Sequence, residues 1–185
     1  MKIAFFSESV ADESALRILV VGILNEEIEQ TNLPNRLQYR SSTQLDRDLS
    51  AVIKAVDYNS DADALVVVSD SDDSPVHTIE HEENRIEKCR LCQLRKAVAD
   101  TLSVLRPVAG KDIIKVAVGV PVPAIEAWYL FGRNPQLFEA TWMRQQNGEK
   151  IDYDRKKIKR RNLWHESPVI RIGNKTRSYR IRKNR

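Results

Sequence analysis

The side chains best suited to chemistry in this chain are the acids that end its most apolar stretch. Ala64 to Val68 is a run of aliphatic residues, and Asp70, Asp72 and Asp73 follow it. Because one residue separates Asp70 from Asp72, their carboxylates can converge on one hard divalent cation, and Mg²⁺ favours a few carboxylates together with water. The competing interpretation is a solvated turn and helix cap, in which Asp and Ser are common, and Asp73 fits a cap better than a ligand.

The placement of these acids depends on the strand before them. A continuous Val-rich run is typical of a central parallel strand that is buried on both faces. Strand-like composition or alternation also occurs at residues 2–7, 36–42 and 111–120. Amphipathic periodicity predicts helices at residues 12–30, 42–56, 78–105 and 124–131. The alternating order predicts an α/β domain with a mainly parallel, Rossmann-like sheet of about four strands and helices on both faces.

Acidic residues follow three of the predicted strands. Glu8 comes after the first strand, Asp70 and Asp72 after the central one, and Glu126 after the last. In a parallel sheet the carboxyl ends of the strands share one edge, so these groups can meet in one cleft. Crowded carboxylates repel one another, and a bound divalent cation removes that repulsion. A buried or capping carboxylate is the alternative interpretation of Glu126.

The charge of the chain is distributed unevenly. Residues 1–154 contain 17 Lys and Arg against 25 Asp and Glu, whereas residues 155–185 contain 13 Lys and Arg against one Glu. A basic tail on an acidic body indicates a polyanionic partner, most often nucleic acid, although a solvated or disordered end has the same composition. The residues expected to contact phosphates, or in the case of the tryptophan to stack on a base, are Arg155, Lys156, Lys157, Lys159, Arg160, Arg161 and Trp164.

Length and hydropathy define the expected domains and compartment. We expect one main domain at residues 1–131, a connecting segment at 132–154, and a basic tail or small hairpin at 155–185. No apolar run is long enough to span a membrane, and the first residues do not resemble a signal peptide. We therefore expect a cytoplasmic protein without a membrane partner, and the sequence leaves its oligomeric state open.

Two histidines and two cysteines after the acidic stretch raise the question of a zinc site. They are His77, His81, Cys89 and Cys92, and a Cys-x-x-Cys pair with two histidines is a recurrent zinc ligand set. If residues 78–105 form one helix, His81 and Cys89 lie about 12 Å apart along its axis, too far to bind one ion. The sequence therefore argues against zinc here, unless the helix breaks near residues 82–84.

The arrangement of the acids resembles the Toprim domain, which topoisomerases, bacterial primases, small ribonucleases and the OLD-family nucleases share. In that family a Glu follows the first strand and an Asp-x-Asp follows a later one, which Glu8 and Asp70-Ser71-Asp72 match. OLD-like nucleases tend to have a second acid four residues after the Glu, and Asp12 stands there. The stretch from Pro123 to Trp128, around Glu126, is similar to one in an uncharacterised Toprim-like family often found near phage-defence genes.

This resemblance implies a metal-dependent nuclease that cleaves DNA or RNA, as an effector of antiphage defence. Asp70 and Asp72 would bind Mg²⁺ or Mn²⁺, Glu8 would act as general acid or base or complete the metal site, and Asp12 with Glu126 would support a second ion. An acid that favours the N-terminus of a helix is the alternative interpretation of Asp12. The resemblance covers residues 1–131.

The sequence also departs from the Toprim pattern. Ser9 stands where Toprim proteins usually have Gly, and the ATPase domain of OLD nucleases has no counterpart, because the chain contains no Gly-x-x-x-x-Gly-Lys-Ser/Thr motif. A nucleotide-driven partner would have to be a separate ATPase subunit. Two other functions therefore stay open: a non-catalytic accessory subunit that binds nucleic acid or such an ATPase, and a phosphatase or phosphotransferase with Asp70 as nucleophile.

Overall fold

The computed structural model describes residues 1–33, 42–72, 74–122, 124, 125, 127 and 128, and for residues 42–46 the backbone alone. The chain divides into two units, Met1–Ile125 and Glu126–Arg185, and the fold described below is that of the first. Residues 36–41 of the strand predicted at 36–42, half of the helix predicted at 124–131, and the basic tail lie outside the described residues.

Four parallel strands form the sheet. They are β1 (Lys2–Phe6), β2 (Glu29–Thr31), β3 (Ala64–Val68) and β4 (Lys115–Gly119), in the order β2-β1-β3-β4. The Val-rich run occupies an inner position between β1 and β4, as its composition predicts. The prediction of an α/β domain with a parallel four-stranded sheet is confirmed.

The helices are α1 (Val10–Leu24), α2 (Ser42–Asn59), α3 (Glu80–Glu83) and α4 (Arg90–Ser103). The chain passes from β1 through α1 to β2 in one direction, then returns through α2 to β3 and continues to β4 in the other. Since parallel connections are right-handed, this reversal puts α1 on one face of the sheet and α2 and α4 on the other. Among the described residues, no helix is long and apolar enough to cross a membrane.

The main core lies between the sheet and the pair α2 and α4. Side chains alternate along β1, so Ala4 and Phe6 enter this core while Ile3 and Phe5 are buried outside it. Helix α2 contributes a fully buried stripe at the predicted positions, and α4 adds its own apolar side chains. The helix residues of this core are Leu49, Val52, Ile53, Val56, Leu94 and Val98.

Two predicted helices differ from the observed ones. The helix expected to reach Gln30 ends at Leu24, because Asn25 adopts a left-handed conformation with φ 53° and the chain then enters β2. Asn tolerates this conformation better than most residues, and it often ends helices. Ile28, which continues the helical periodicity, is buried next to the strand instead.

The prediction of one long helix over residues 78–105 is wrong. The chain forms the single turn α3, breaks at Asn84, and begins a new helix after Cys89. Residues 82–88 are all exposed, so no apolar face holds this stretch in a helix. The last strand is also shorter than predicted and begins at Lys115.

Polar contacts fix the end of α2 to the segment before β4. The Lys111 ammonium donates to three main-chain carbonyls there, of Val56, Asp57 and Ser60. The buried Asp57 carboxylate accepts the Ile114 backbone N–H at 3.0 Å. The Lys111 bonds satisfy two carbonyls in the last turn of the helix, those of Val56 and Asp57, which have no partner within it.

Candidate functional site: the acidic edge and a His/Cys cluster

The acidic edge lies where the topology opens a crevice. The connection after β1 leads to one side of the sheet and the connection after β3 leads to the other, although these two strands are neighbours. The loops that leave their carboxyl ends therefore part from each other, and ligands of open α/β sheets bind at such a point. Glu8 follows β1 there, and Asp70 and Asp72 follow β3.

Glu8 connects the two loops directly. Its carboxylate oxygen Oε1 accepts the backbone N–H of Asp70 at 3.1 Å and the Ser69 hydroxyl at 3.3 Å. The structure thus brings Glu8 and Asp70, 62 positions apart in the sequence, into contact. This is the juxtaposition that acids after two separate strands predict.

Three ionised carboxylates at this edge, those of Glu8, Asp70 and Asp72, would repel one another. Burial raises the pKa of Glu8, and the negative charges of Asp70 and then Asp72 raise it further, while the hydrogen bonds from Asp70 and Ser69 oppose the shift. Glu8 and the two aspartates therefore lie within electrostatic reach of each other, and a cation would lower their mutual repulsion.

Asp70 is held in a buried network. It is 8 % exposed, and its Oδ1 accepts the backbone N–H of Ile125 at 2.9 Å. The next residue, Ser71, donates its backbone N–H to the carbonyl of Pro121 at 3.1 Å. The loops after β3 and β4 are therefore joined at this edge, and the Asp70 carboxylate has a defined orientation.

Asp72 lies at a turn and faces a cation of the protein. Its φ is 50°, a left-handed conformation that Asp adopts more readily than most residues. Its Oδ2 lies 3.8 Å from the guanidinium of Arg90, the first residue of α4, and its side chain is 39 % exposed. Sequence analysis did not select Arg90, because a long helix through residues 78–105 would have hidden its place at a helix start.

Ser9 and Asp12 have a clear structural role at the start of α1. Ser9 is the N-cap, whose hydroxyl accepts the Asp12 backbone N–H at 3.2 Å and donates to the Asp12 carboxylate at 2.7 Å. The backbone of Ser9 is extended, with φ −146°, so this position does not require Gly. Asp12 therefore serves as an N-terminal helix acid in this structure.

Glu13 is an acid that sequence analysis missed. It is buried, burial and the neighbouring charge of Asp12 raise its pKa to about 7, and a hydrogen bond from the Ser7 backbone opposes that shift. Its Oε1 has no hydrogen-bond partner among the described residues. Glu13 stands three positions before the buried Leu16, and this helical spacing was the signal that could have identified it.

Other predicted site residues lie outside the described part of the chain. These are Asp73, Glu126 and the basic tail residues Arg155, Lys156, Lys157, Lys159, Arg160, Arg161 and Trp164.

The break between α3 and α4 brings the two histidines and two cysteines together. One ligand atom from each of His77, His81, Cys89 and Cys92 lies within 4.8 Å of those from the other three. The prediction that a continuous helix separates them is wrong, and the distance argument against a shared ion no longer applies. Among the described residues, this is the one set of three or more His, Cys, Asp and Glu side chains whose ligand atoms already lie this close together, and Glu8, Asp70 and Asp72 do not form such a set.

Hydrogen bonds and burial order the His/Cys cluster. His77 Nδ1 lies 3.5 Å from Cys89 Sγ and 3.6 Å from Cys92 Sγ, and the two imidazole rings meet edge to face at 5.2 Å. On its other side, His77 Nε2 lies 2.9 Å from the Glu82 carboxylate, which also pairs with Arg95. Both thiols are reduced and buried, and burial raises the pKa of Cys89.

Comparison of the chain with protein-family models, curated proteins and solved structures finds no significant match.

Proposed function

We propose that the protein is a metal-dependent phosphodiesterase of the nuclease class, in which Asp70 and Asp72, with Glu8 beside them, bind Mg²⁺ or Mn²⁺ partly through water molecules. The observation that carries the proposal is the contact between Glu8 and the start of the loop after β3, at the point where the sheet changes direction. Oxygen ligands and a charge that needs compensation are what a hard divalent cation requires.

The chemistry assigned to these residues follows from their surroundings. A bound cation would polarise a phosphoryl oxygen and activate a water molecule for attack. Glu8, in contact with the start of the loop that carries Asp70, is placed to take up or deliver a proton or to complete the metal site. Asp70, held by the Ile125 N–H, would present a fixed ligand oxygen.

Nucleic acid is the substrate that the rest of the sequence favours. The basic tail, from Arg155 onward, supplies the positive charge that the acidic main domain lacks. The resemblance to Toprim nucleases supports the same chemistry and an antiphage role. Asp12 is a further candidate ligand on this proposal.

The test is cleavage of labelled single- and double-stranded DNA and RNA by the purified chain with Mg²⁺, with Mn²⁺ or with neither. Asp70→Asn and Asp72→Asn should lose activity by at least about 100-fold, the order of loss when a group that stabilises the transition state is removed. Asp100→Asn, the same change on the exposed face of α4, is the matched control and should cleave normally. Cleavage that persists in both edge variants would refute the proposal.

A second candidate is the non-catalytic subunit that binds nucleic acid or a separate ATPase. The ion pair between Arg90 and Asp72 favours it, because a guanidinium can compensate the acidic edge without a metal ion. This candidate predicts no cleavage with any metal, together with tight nucleic-acid binding that Asp70→Asn does not weaken.

A further inference from the structure

We propose that His77, His81, Cys89 and Cys92 bind a structural Zn²⁺ ion that fixes the segment between the acidic edge and α4. The proposal rests on the convergence of the four side chains across the break in the chain between α3 and α4. It concerns a different site from the acidic edge and holds whether or not that edge cleaves nucleic acid.

The spacing of the ligand atoms fits tetrahedral zinc. Bond lengths of about 2.3 Å to sulfur and about 2.0 to 2.1 Å to nitrogen place the S and N atoms of a tetrahedral site about 3.6 Å apart. His77 Nδ1 lies 3.5 and 3.6 Å from the two cysteine sulfurs. Two thiolates with two imidazoles also favour zinc over magnesium or calcium, which prefer oxygen.

One buried nitrogen lacks the partner that a metal ion would supply. His81 is 7 % exposed, and its Nδ1 has no hydrogen-bond partner among the described residues. Buried polar atoms are nearly always paired. A metal ion bound by the cluster would supply a partner to this imidazole.

The surroundings of His77 match those of a metal-bound histidine. A ligating imidazole usually gives its second nitrogen to a carboxylate, which fixes the ring and its tautomer. Glu82 occupies that position at His77 Nε2, and Arg95 pairs with Glu82 in turn. Since the protein supplies four ligands and leaves no open position, the ion would be structural and not catalytic.

The segment that the ion would hold has no buried side chain of its own. Residues 82–88 are exposed throughout, and α3 is only one turn long. Metal ligation at both ends of such a segment stabilises its folded form. Cys89 is the N-cap of α4, and the next residue, Arg90, donates its backbone N–H to Ser74 at 2.9 Å and faces Asp72. Zinc would therefore also position the Arg90 guanidinium beside the acidic edge.

The first experiment measures the metal content of the full chain by elemental mass spectrometry and then titrates the metal-free protein with Co²⁺. We expect one Zn²⁺ per chain, and with Co²⁺ the visible absorption of a tetrahedral site and the ultraviolet absorption of cobalt–thiolate bonds. Cys92→Ser should lose the bound zinc and the thiolate bands. His165→Ala, which changes the one histidine outside the cluster, is the control and should keep both.

A second measurement covers the case in which Cys92→Ser does not fold. Glu82→Gln keeps all four ligands and should weaken zinc binding by about 10- to 100-fold in competition with a chromophoric chelator, whereas Glu83→Gln on the same short helix should leave it unchanged. Trypsin should cut after Arg85 and Lys88 faster once zinc is removed. A chain that carries no zinc, gives no cobalt spectrum, or isolates with a Cys89–Cys92 disulfide would overturn the proposal.

Discussion

Replacing Asp70 by Asn and by Ala should separate its structural role from its proposed role as a metal ligand. Asn keeps an oxygen in the place of Oδ1, so it can still accept the buried N–H of Ile125, whereas Ala leaves that N–H without an acceptor. An unsatisfied buried donor costs about 1 to 3 kcal/mol. We expect Asp70→Ala to lower the free energy of unfolding by that amount and Asp70→Asn to stay within about 1 kcal/mol of the wild type.

The same variants respond differently to magnesium. If Asp70 is a ligand, free Mg²⁺ at ten times its dissociation constant should stabilise the wild type by about 1.4 kcal/mol and stabilise neither variant. Asp70→Asn should also lower the pKa of Glu8, because it removes a neighbouring negative charge.

Urea unfolding followed by circular dichroism, with and without Mg²⁺, measures both effects. Equal destabilisation by Asn and Ala would mean that the Ile125 hydrogen bond contributes nothing to stability. Equal stabilisation of Asp70→Asn and the wild type by magnesium would mean that Asp70 is not a ligand. Asp100→Asn, far from this edge in the sequence and exposed on α4, controls for a general effect of charge on stability.

Three further predictions concern other parts of the chain. The pKa of Glu13 is about 7 in the folded protein against an ordinary 4.5, so the folded state loses stability as the pH rises from about 4.5 to 7. Glu13→Gln should remove this loss and stabilise the protein at pH 8 by about 1 to 2 kcal/mol after solvent screening. Unfolding measured as a function of pH tests this. Lys111→Met should lower the thermal unfolding midpoint by removing about 1 to 2 kcal/mol of capping at the end of α2. In salt titrations of nucleic-acid binding, the negative slope of log affinity against log salt concentration should become shallower by about 2 to 3 when three tail residues are replaced by Gln. They are Lys156, Lys157 and Lys159.

Three of the four strands and the proximity of two acids at the sheet edge were predictable from the sequence because they depend on short-range signals, whereas β2 begins inside the helix that periodicity predicts. The Val-rich run before Asp70 and the apolar run before Glu8 each specify a buried strand, and parallel strands align their carboxyl ends by geometry alone. The proximity of Glu8 to Asp70 follows from these facts together. The role of Asp12 at the start of α1 was recognised only as an alternative.

The helix break was not predictable with the same confidence, because periodicity carries no information across a charged stretch. Residues 82–88 contain helix-forming charged side chains and only Ile86 as a large apolar one, so propensity favours a helix that tertiary structure does not support. The contrary signal was the His77, His81, Cys89 and Cys92 spacing itself. When four possible metal ligands can meet only if a helix breaks, their spacing is a reason to predict that break.

The connection from β3 to α4 carries both Asp70 and Asp72 of the acidic edge and ligands of the His/Cys cluster, so removing metal from one site can affect the other. The chain runs from Asp70 and Asp72 to His77 within a few residues, and Arg90 beside Cys89 returns to contact Asp72. A general chelator such as EDTA would remove a cation from the acidic edge and zinc from the His/Cys cluster, so loss of cleavage after EDTA treatment would not identify the metal responsible. Restoring Mg²⁺ alone to metal-free protein separates the two. Full recovery would place the reaction at the acidic edge without zinc, whereas recovery that also needs Zn²⁺ would mean that the position of Arg90 and Asp72 depends on the structural ion.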